Sequence, residues 1–239
     1  MNNNLINVVN LVKTFDEQSV IKNISFNVKK NSIVGILGKN GAGKTTLLGM
    51  LLGLITPTKG DIFILGKNLK LNKKEILSEI NFQSPYVDLP KKMTVEQNLY
   101  FYSRLYGIKN FKDIINDLVD KLKMKDLINK SYGSLSAGQK TKVNLCKALI
   151  NNPKLLLLDE PTASLDPETS IFIREFLLKF QKTNNSSILI TSHNLDEIQS
   201  ICSKIILLKF GTVVSDGNLN EILKTKNYST LQDFFLGQG

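Results

Sequence analysis

The sequence predicts an α/β fold, a mostly parallel sheet interrupted by a helical insertion. Three observations predict it. Short unbroken apolar runs, such as Leu155-Leu156-Leu157-Leu158, read as buried parallel strands. Longer amphipathic stretches alternate with them. The run Ser32-Ile33-Val34-Gly35-Ile36-Leu37 also passes through a Gly-rich turn straight into a helical segment.

That helix is predicted over residues 45–55, apolar nearly all round and so buried, ending before Pro57. Thr94-Val95-Glu96-Gln97 has capping-box spacing, with Val95, Leu99, Tyr102 and Tyr106 following on one helical face. Residues 111–128 read as a second amphipathic helix, and residues 136–150 as a third with Val143, Cys146, Leu149 and Ile150 on one side. Residues 187–191 read as another central strand. The expected organisation is one domain: a core of residues 1–83 and 153–218, a helical subdomain of residues 84–152, and a helical, peripheral tail of residues 219–239.

The length of 239 residues, with 42% hydrophobic and 22% charged, fits a globular chain that buries a core without staples. Two cysteines, Cys146 and Cys202, make no disulfide framework and no CxxC pair, and a reducing compartment is expected. The opening residues lack a signal-peptide pattern, and the longest apolar stretch, residues 47–55, is less than half of the roughly 20 residues a spanning helix needs. A soluble intracellular chain is expected. The net charge of +10 and pI of 9.4 raise nucleic acid as a partner. The cations, however, are lysines apart from Arg104 and Arg174, and they cluster only in pairs such as Lys29-Lys30. Specific base and phosphate readers favour the planar guanidinium, so no specific nucleic acid is expected; a weak pull toward an anionic membrane surface remains.

Gly38-Lys39-Asn40-Gly41-Ala42-Gly43-Lys44-Thr45 fits G-x-x-x-x-G-K-[ST] between a strand and a helix, the context that distinguishes a P-loop from an ordinary Gly-rich turn. Glycines let backbone N–H groups turn toward phosphates, and the helix N-terminus adds its positive dipole end. Lys44 then meets the β- and γ-phosphates, and the Thr45 hydroxyl is a Mg²⁺ ligand. Asp159 and Glu160 end the four-leucine strand, where open α/β sheets bind ligands. Asp159 is placed to hold Mg²⁺ through water, and Glu160 to polarise a water for attack on the γ-phosphate; alone, the pair would read equally well as two solvated acids. In Leu135-Ser136-Ala137-Gly138-Gln139, Ser136 and Gln139 have capping-box spacing. Physically this is a helix cap first, although its free N–H groups would also attract a phosphate.

Together these elements resemble the nucleotide-binding subunit of ATP-binding cassette (ABC) transporters. Leu135-Ser136-Ala137-Gly138-Gln139 resembles the LSGGQ signature, with Ala137 where Gly is usual, and Leu155 to Thr162 (LLLLDEPT), Ser164-Leu165-Asp166 as D-loop and Gln83 as Q-loop glutamine follow the family pattern over about residues 7–223. The resemblance implies a P-loop NTPase core with an N-terminal antiparallel β region, and ATP and Mg²⁺ as cofactors. It implies that Phe15 stacks on adenine, that Thr46 joins the phosphate loop, and that Gln83 assists both catalysis and Mg²⁺. His193, the sole histidine, becomes a switch contacting the γ-phosphate; without the resemblance a lone histidine is more often structural. It also implies a head-to-tail dimer, with a second copy or a homologous ATPase subunit. In that dimer Ser136, Ala137, Gly138, Gln139 and Asp166 act across the interface.

A chain with no spanning segment needs a separate integral-membrane permease, and a peripheral location on the cytoplasmic face of the membrane is expected. The groove beside Gln83 and the helical insertion is the expected docking place. Tyr100, Phe101, Tyr102 and Tyr106 serve either that contact or an internal helical core. Residues 93–107 most resemble the drug, lipid and polysaccharide exporter branch. The alternative, a non-transport ABC ATPase on nucleic acid or ribosomes, is disfavoured: Lys44 and Asp159 lie too close for an inserted coiled coil, and the chain carries one cassette.

Overall fold

The computed structural model describes residues 3–163, 165–225 and 228–237, with the Leu236 side chain excepted; Ser164 of the D-loop motif lies outside the described residues. The chain runs β1 (Asn4–Phe15), β2 (Gln18–Lys29), β3 (Ile33–Leu37), α1 (Lys44–Leu51), β4 (Lys59–Ile64), β5 (Lys67–Asn68), α2 (Lys73–Ser78) and β6 (Ile80–Gln83). Three helices follow, α3 (Val95–Leu105), α4 (Phe111–Lys121) and α5 (Ala137–Leu149). Then come β7 (Leu155–Asp159), α6 (Pro167–Asn184), β8 (Ser187–Ser192), α7 (Leu195–Ile201), β9 (Lys204–Lys209), β10 (Thr212–Asn218), α8 (Leu219–Thr225) and α9 (Leu231–Gly237).

Two sheets result. The antiparallel one has the order β2-β1-β4-β5, and the larger one β10-β9-β3-β8-β7-β6. In the larger sheet β9, β3, β8, β7 and β6 run parallel and β10 alone is antiparallel. β3, β7 and β8 are buried at every position, which is why their sequences are apolar runs without alternation. Their side chains divide between two cores. Val34, Ile36, Leu155, Leu157 and Leu189 face α1 and the antiparallel sheet. Ile33, Leu37, Leu156, Leu158, Ile188 and Ile190 face the helices. Each such fully buried side chain contributes about 1.5–3 kcal/mol of transfer free energy.

Both predicted capping boxes form: Thr94 Oγ1 accepts from Gln97 N at 3.1 Å, and Ser136 Oγ accepts from Gln139 N at 3.3 Å. Two helices stop earlier than predicted. α1 ends at Leu51 rather than residue 55, because Gly53 turns left-handed (φ 63°), with Leu54 N donating to Gly49 O and Gly53 N to Met50 O. Leu54 is thereby released and lies exposed. α4 ends at Lys121 through the same Schellman arrangement at Lys123 (φ 53°), a stop that no glycine announces, and residues 125–127 form a separate 3₁₀ turn.

The tail is helical but not peripheral throughout. Leu231 and Phe234 are fully buried, and α9 packs on α7 and α8, so apolar contact fixes its inner face. Of the aromatic residues in and just after α3, Tyr102 and Tyr106 pack on the helical core, while Tyr100 and Phe101 are exposed. Cys146 and Cys202 are free and buried, and burial pushes both thiols up, away from the reactive thiolate. No described helix is long and apolar enough to cross a membrane.

Candidate nucleotide site

Register brings the site together. Leu37 pairs with Ser192 and Asp159 with Thr191, so β3, β7 and β8 end side by side and their loops leave the same edge. The residue sets predicted from the phosphate loop and the acidic strand end meet there. A cavity of about 230 Å³ is lined by Val20, Lys39 to Thr46, Tyr86, Asp159 and Glu160.

The loop is held open by glycines. Gly41 and Gly43 sit at φ 80° and 105°, where a side chain is strained. At Gly38 a Cβ would lie 2.5 Å from the Leu208 carbonyl oxygen. Lys44 is buried, and its Nζ donates back to the Gly38 carbonyl at 2.6 Å. Burial lowers its pKa, while the Glu160 and Asp159 carboxylates oppose that shift. Thr45, the following residue, is exposed to the cavity.

Asp159 is held from two sides: Thr191 Oγ1 donates to Oδ1 at 2.5 Å and Ser84 Oγ to Oδ2 at 3.4 Å. Glu160 adopts a left-handed conformation (φ 48°), a strained position for a residue with a side chain, fixed by its N–H donating to Thr191 O at 2.9 Å. Its contacts converge on one oxygen. Oε2 accepts from His193 N at 3.3 Å and lies 2.8 Å from His193 Nδ1 and 3.5 Å from Ser192 Oγ. Glu160 itself lines the cavity. The His193 ring is otherwise 65% exposed.

Gln83 ends β6 beside Leu158 and is 3% exposed, with both side-chain polar atoms lacking partners among the described residues. A buried amide without partners is costly, so this side chain suits a ligand that brings oxygens to it. Phe15 is an exposed aromatic at the β1–β2 turn, with Lys13 Nζ 4.5 Å from its ring centroid; it is not among the residues lining the cavity, whereas Val20 of β2 is. The signature residues Ser136 to Gln139 stand elsewhere, at the N-terminus of α5. Asp166 is close to them: it caps α6 through Thr169 N at 2.9 Å, which holds its carboxylate below the usual range, and a Cβ on Gly138 would lie 3.4 Å from Thr169 Cγ2.

Four further residues around the site are not singled out by any sequence motif. Tyr86 and Val20 line the cavity because a turn and a strand bring them there. Ser192 and Glu197 lie behind Glu160, and their only trace is position beside His193.

A phosphate loop, paired acids and an adjacent histidine at the strand ends of a parallel sheet define a nucleotide-binding ATPase cassette. The ABC transporter family profile matches residues 21–163. The chain is 34% identical over 229 residues to the ABC transporter ATP-binding protein NatA of Bacillus subtilis, covering 93% of each chain. It is also 34% identical over 228 residues to the bacitracin transport ATP-binding protein BcrA of Bacillus licheniformis, covering 95% of this chain and 74% of that one. A bacterial ABC transporter cassette solved as a dimer superposes with a TM-score of 0.82 at 25% identity, over 90% of this chain and 98% of that one. The chain belongs to the ABC transporter family and is an ATP-binding, ATP-hydrolysing subunit that energises transport.

Proposed function

We propose that this subunit hydrolyses ATP at Glu160 within a head-to-tail dimer and drives export through a separate integral-membrane permease, from the cytoplasmic face of the membrane. The observation that carries the hydrolytic assignment is Glu160 itself. It is strained and buried, it lines the phosphate-loop cavity, and its Oε2 is anchored by the residues around His193. Such a carboxylate accepts a proton from an attacking water without having to reorient.

Lys39 to Thr46 bind the phosphate chain through backbone N–H groups, and the Lys44 ammonium leaves its Gly38 contact for phosphate oxygens. Among the described residues no group of three or more His, Cys, Asp or Glu side chains forms a metal cage. A cation here therefore fits the manner of nucleotide-bound Mg²⁺, with few protein oxygens. Thr45, Asp159 and the partnerless Gln83 amide fit that requirement. Mg²⁺, when bound, offsets charge on the β- and γ-phosphates. His193 orients Glu160 and presents Nε2 to the γ-phosphate.

Phe15 offers an exposed ring for adenine. Ser136, Ala137, Gly138 and Gln139, with Asp166 beside them, lie outside their own cavity, so they meet a nucleotide only from a second cassette; the dimeric relative structure supports that arrangement. The permease is expected in the groove lined by Leu52, Phe82, Leu105 and Tyr106, where Phe82 precedes Gln83 on β6. The relatives named for Nod factor export support the export direction and the exporter branch.

The test is co-purification of the tagged chain from membranes, with ATPase assays of the isolated pair. The expected result is one stoichiometric membrane protein and Glu160-dependent turnover. A chain that carries nucleic acid and no membrane partner would overturn the transport proposal.

A further inference from the structure

Glu197, in the first turn of α7, is a buried acid that the steps above do not use. It is 0% exposed; Oε2 lies 2.6 Å from Ser192 Oγ, and Oε1 has no hydrogen-bond partner among the described residues. Ser192 stands between two carboxyl groups, because its Oγ is also 3.5 Å from Oε2 of Glu160. One of its lone pairs is taken by Asn194 N at 3.0 Å. A hydroxyl carries a single proton. If Glu197 were a carboxylate it would capture that proton at the shorter distance and leave the Ser192 oxygen facing the Glu160 carboxylate without a hydrogen between them.

We propose that Glu197 is a positioning residue for hydrolysis: as the neutral acid it donates to the Ser192 hydroxyl, which donates in turn to Oε2 of Glu160 and so keeps the Glu160 carboxylate fixed at the cavity. No bond is made or broken in this chain of hydrogen bonds, and the proton of Glu197 stays on Glu197. The orphaned Oε1 agrees with it, since a buried carbonyl without a partner costs far less than a buried half-charge. Burial also pushes the Glu197 carboxyl above the usual range, and the nearby Glu160 charge acts in the same sense. The nearby Ser192 and Thr162 hydroxyls and the Arg174 charge on α6, which favour the ionised form, act in the opposite sense.

This inference rests on Glu160 being the hydrolytic base, and the test separates the two. ATP turnover is measured for Glu197→Gln, Glu197→Leu, Ser192→Ala and, as control, Glu160→Gln in the full chain. Glu197→Gln keeps a donor toward Ser192, and its kcat is expected within about twofold of the unsubstituted chain. Glu197→Leu keeps the bulk and removes the donor, and its kcat is expected to fall about tenfold with KM for ATP unchanged. Ser192→Ala, which needs no refilling of the α7 interior, is expected to fall equally, and Ser192→Ala combined with Glu197→Leu no further. Loss of kcat in Glu197→Gln equal to that in Glu197→Leu overturns the neutral-donor role, and unchanged kcat in Glu197→Leu or Ser192→Ala overturns the positioning role. Wild-type turnover in Glu160→Gln would instead remove the hydrolytic assignment on which the inference stands.

Discussion

Nδ1 of His193 lies 2.8 Å from Oε2 of Glu160, the oxygen that also receives the His193 backbone N–H. One residue thus grips the carboxylate twice, through ring and main chain. Removing the ring while the backbone grip remains isolates the contribution of the imidazole. His193→Ala is expected to lower kcat for ATP by about 10²-fold or more, with ATP affinity nearly unchanged, as measured by steady-state turnover alongside nucleotide-binding titration.

The two left-handed glycines of the phosphate loop are expected to differ. Gly41 has open space around the position of a Cβ, so Gly41→Ala carries the conformational strain alone, about 1 kcal/mol. At Gly43 a Cβ would lie 2.7 Å from Ile21 Cδ1, so Gly43→Ala adds a collision to the strain and is expected to cost about 2–4 kcal/mol. Denaturant unfolding of both variants measures the contrast.

Ser136 combines a local role with the one proposed across the dimer. Ser136→Ala removes a cap and is expected to lose about 1 kcal/mol of stability. Ser136→Asp preserves the cap, since aspartate accepts the same N–H, but turns a negative charge toward an incoming γ-phosphate. Unchanged stability with lost ATP-dependent dimerisation is expected, read by thermal unfolding and light scattering on the same sample.

Lys147 on α5 reaches the Phe82 carbonyl at 3.3 Å and lies 5.5 Å from the Tyr102 ring centroid. Burial pushes its ammonium down to about 8 from 10.5. The folded chain therefore releases this proton first, and between about pH 8 and 10.5 the unfolded chain binds more protons. The stability of the unsubstituted chain relative to Lys147→Met is expected to be flat below that window and to rise through it. Paired unfolding curves at pH 7, 8, 9 and 10 measure the trend.

Much of the fold was legible because its signals are local. β3, β7 and β8 are buried on both faces and so carry apolar runs that need no partner to be read. The caps at Thr94 and Ser136 are encoded within four residues. The α4 terminus at Lys123 was illegible because a lysine adopts the conformation usually left to glycine. The burial of Leu231 and Phe234 depends on a surface offered by distant helices, which no local pattern reports. The site divides in the same way. The phosphate loop, Asp159 and Glu160 follow from spacing within one strand–loop unit. Glu197 was missed because its importance lies in Ser192 being turned toward it, a relationship set by the path of the chain after β8.

The central claim is that ATP joins two copies of this cassette, or this one and a homologue, and that Glu160 ends the association by hydrolysis. Sedimentation of the Glu160→Gln chain with and without Mg-ATP tests it most directly. The expected result is a monomer without nucleotide and a stable dimer with two ATP molecules retained unhydrolysed, turnover having fallen by about 10²-fold or more. A Glu160→Gln chain that stays monomeric with ATP bound, or that hydrolyses ATP at the unsubstituted rate, would contradict it.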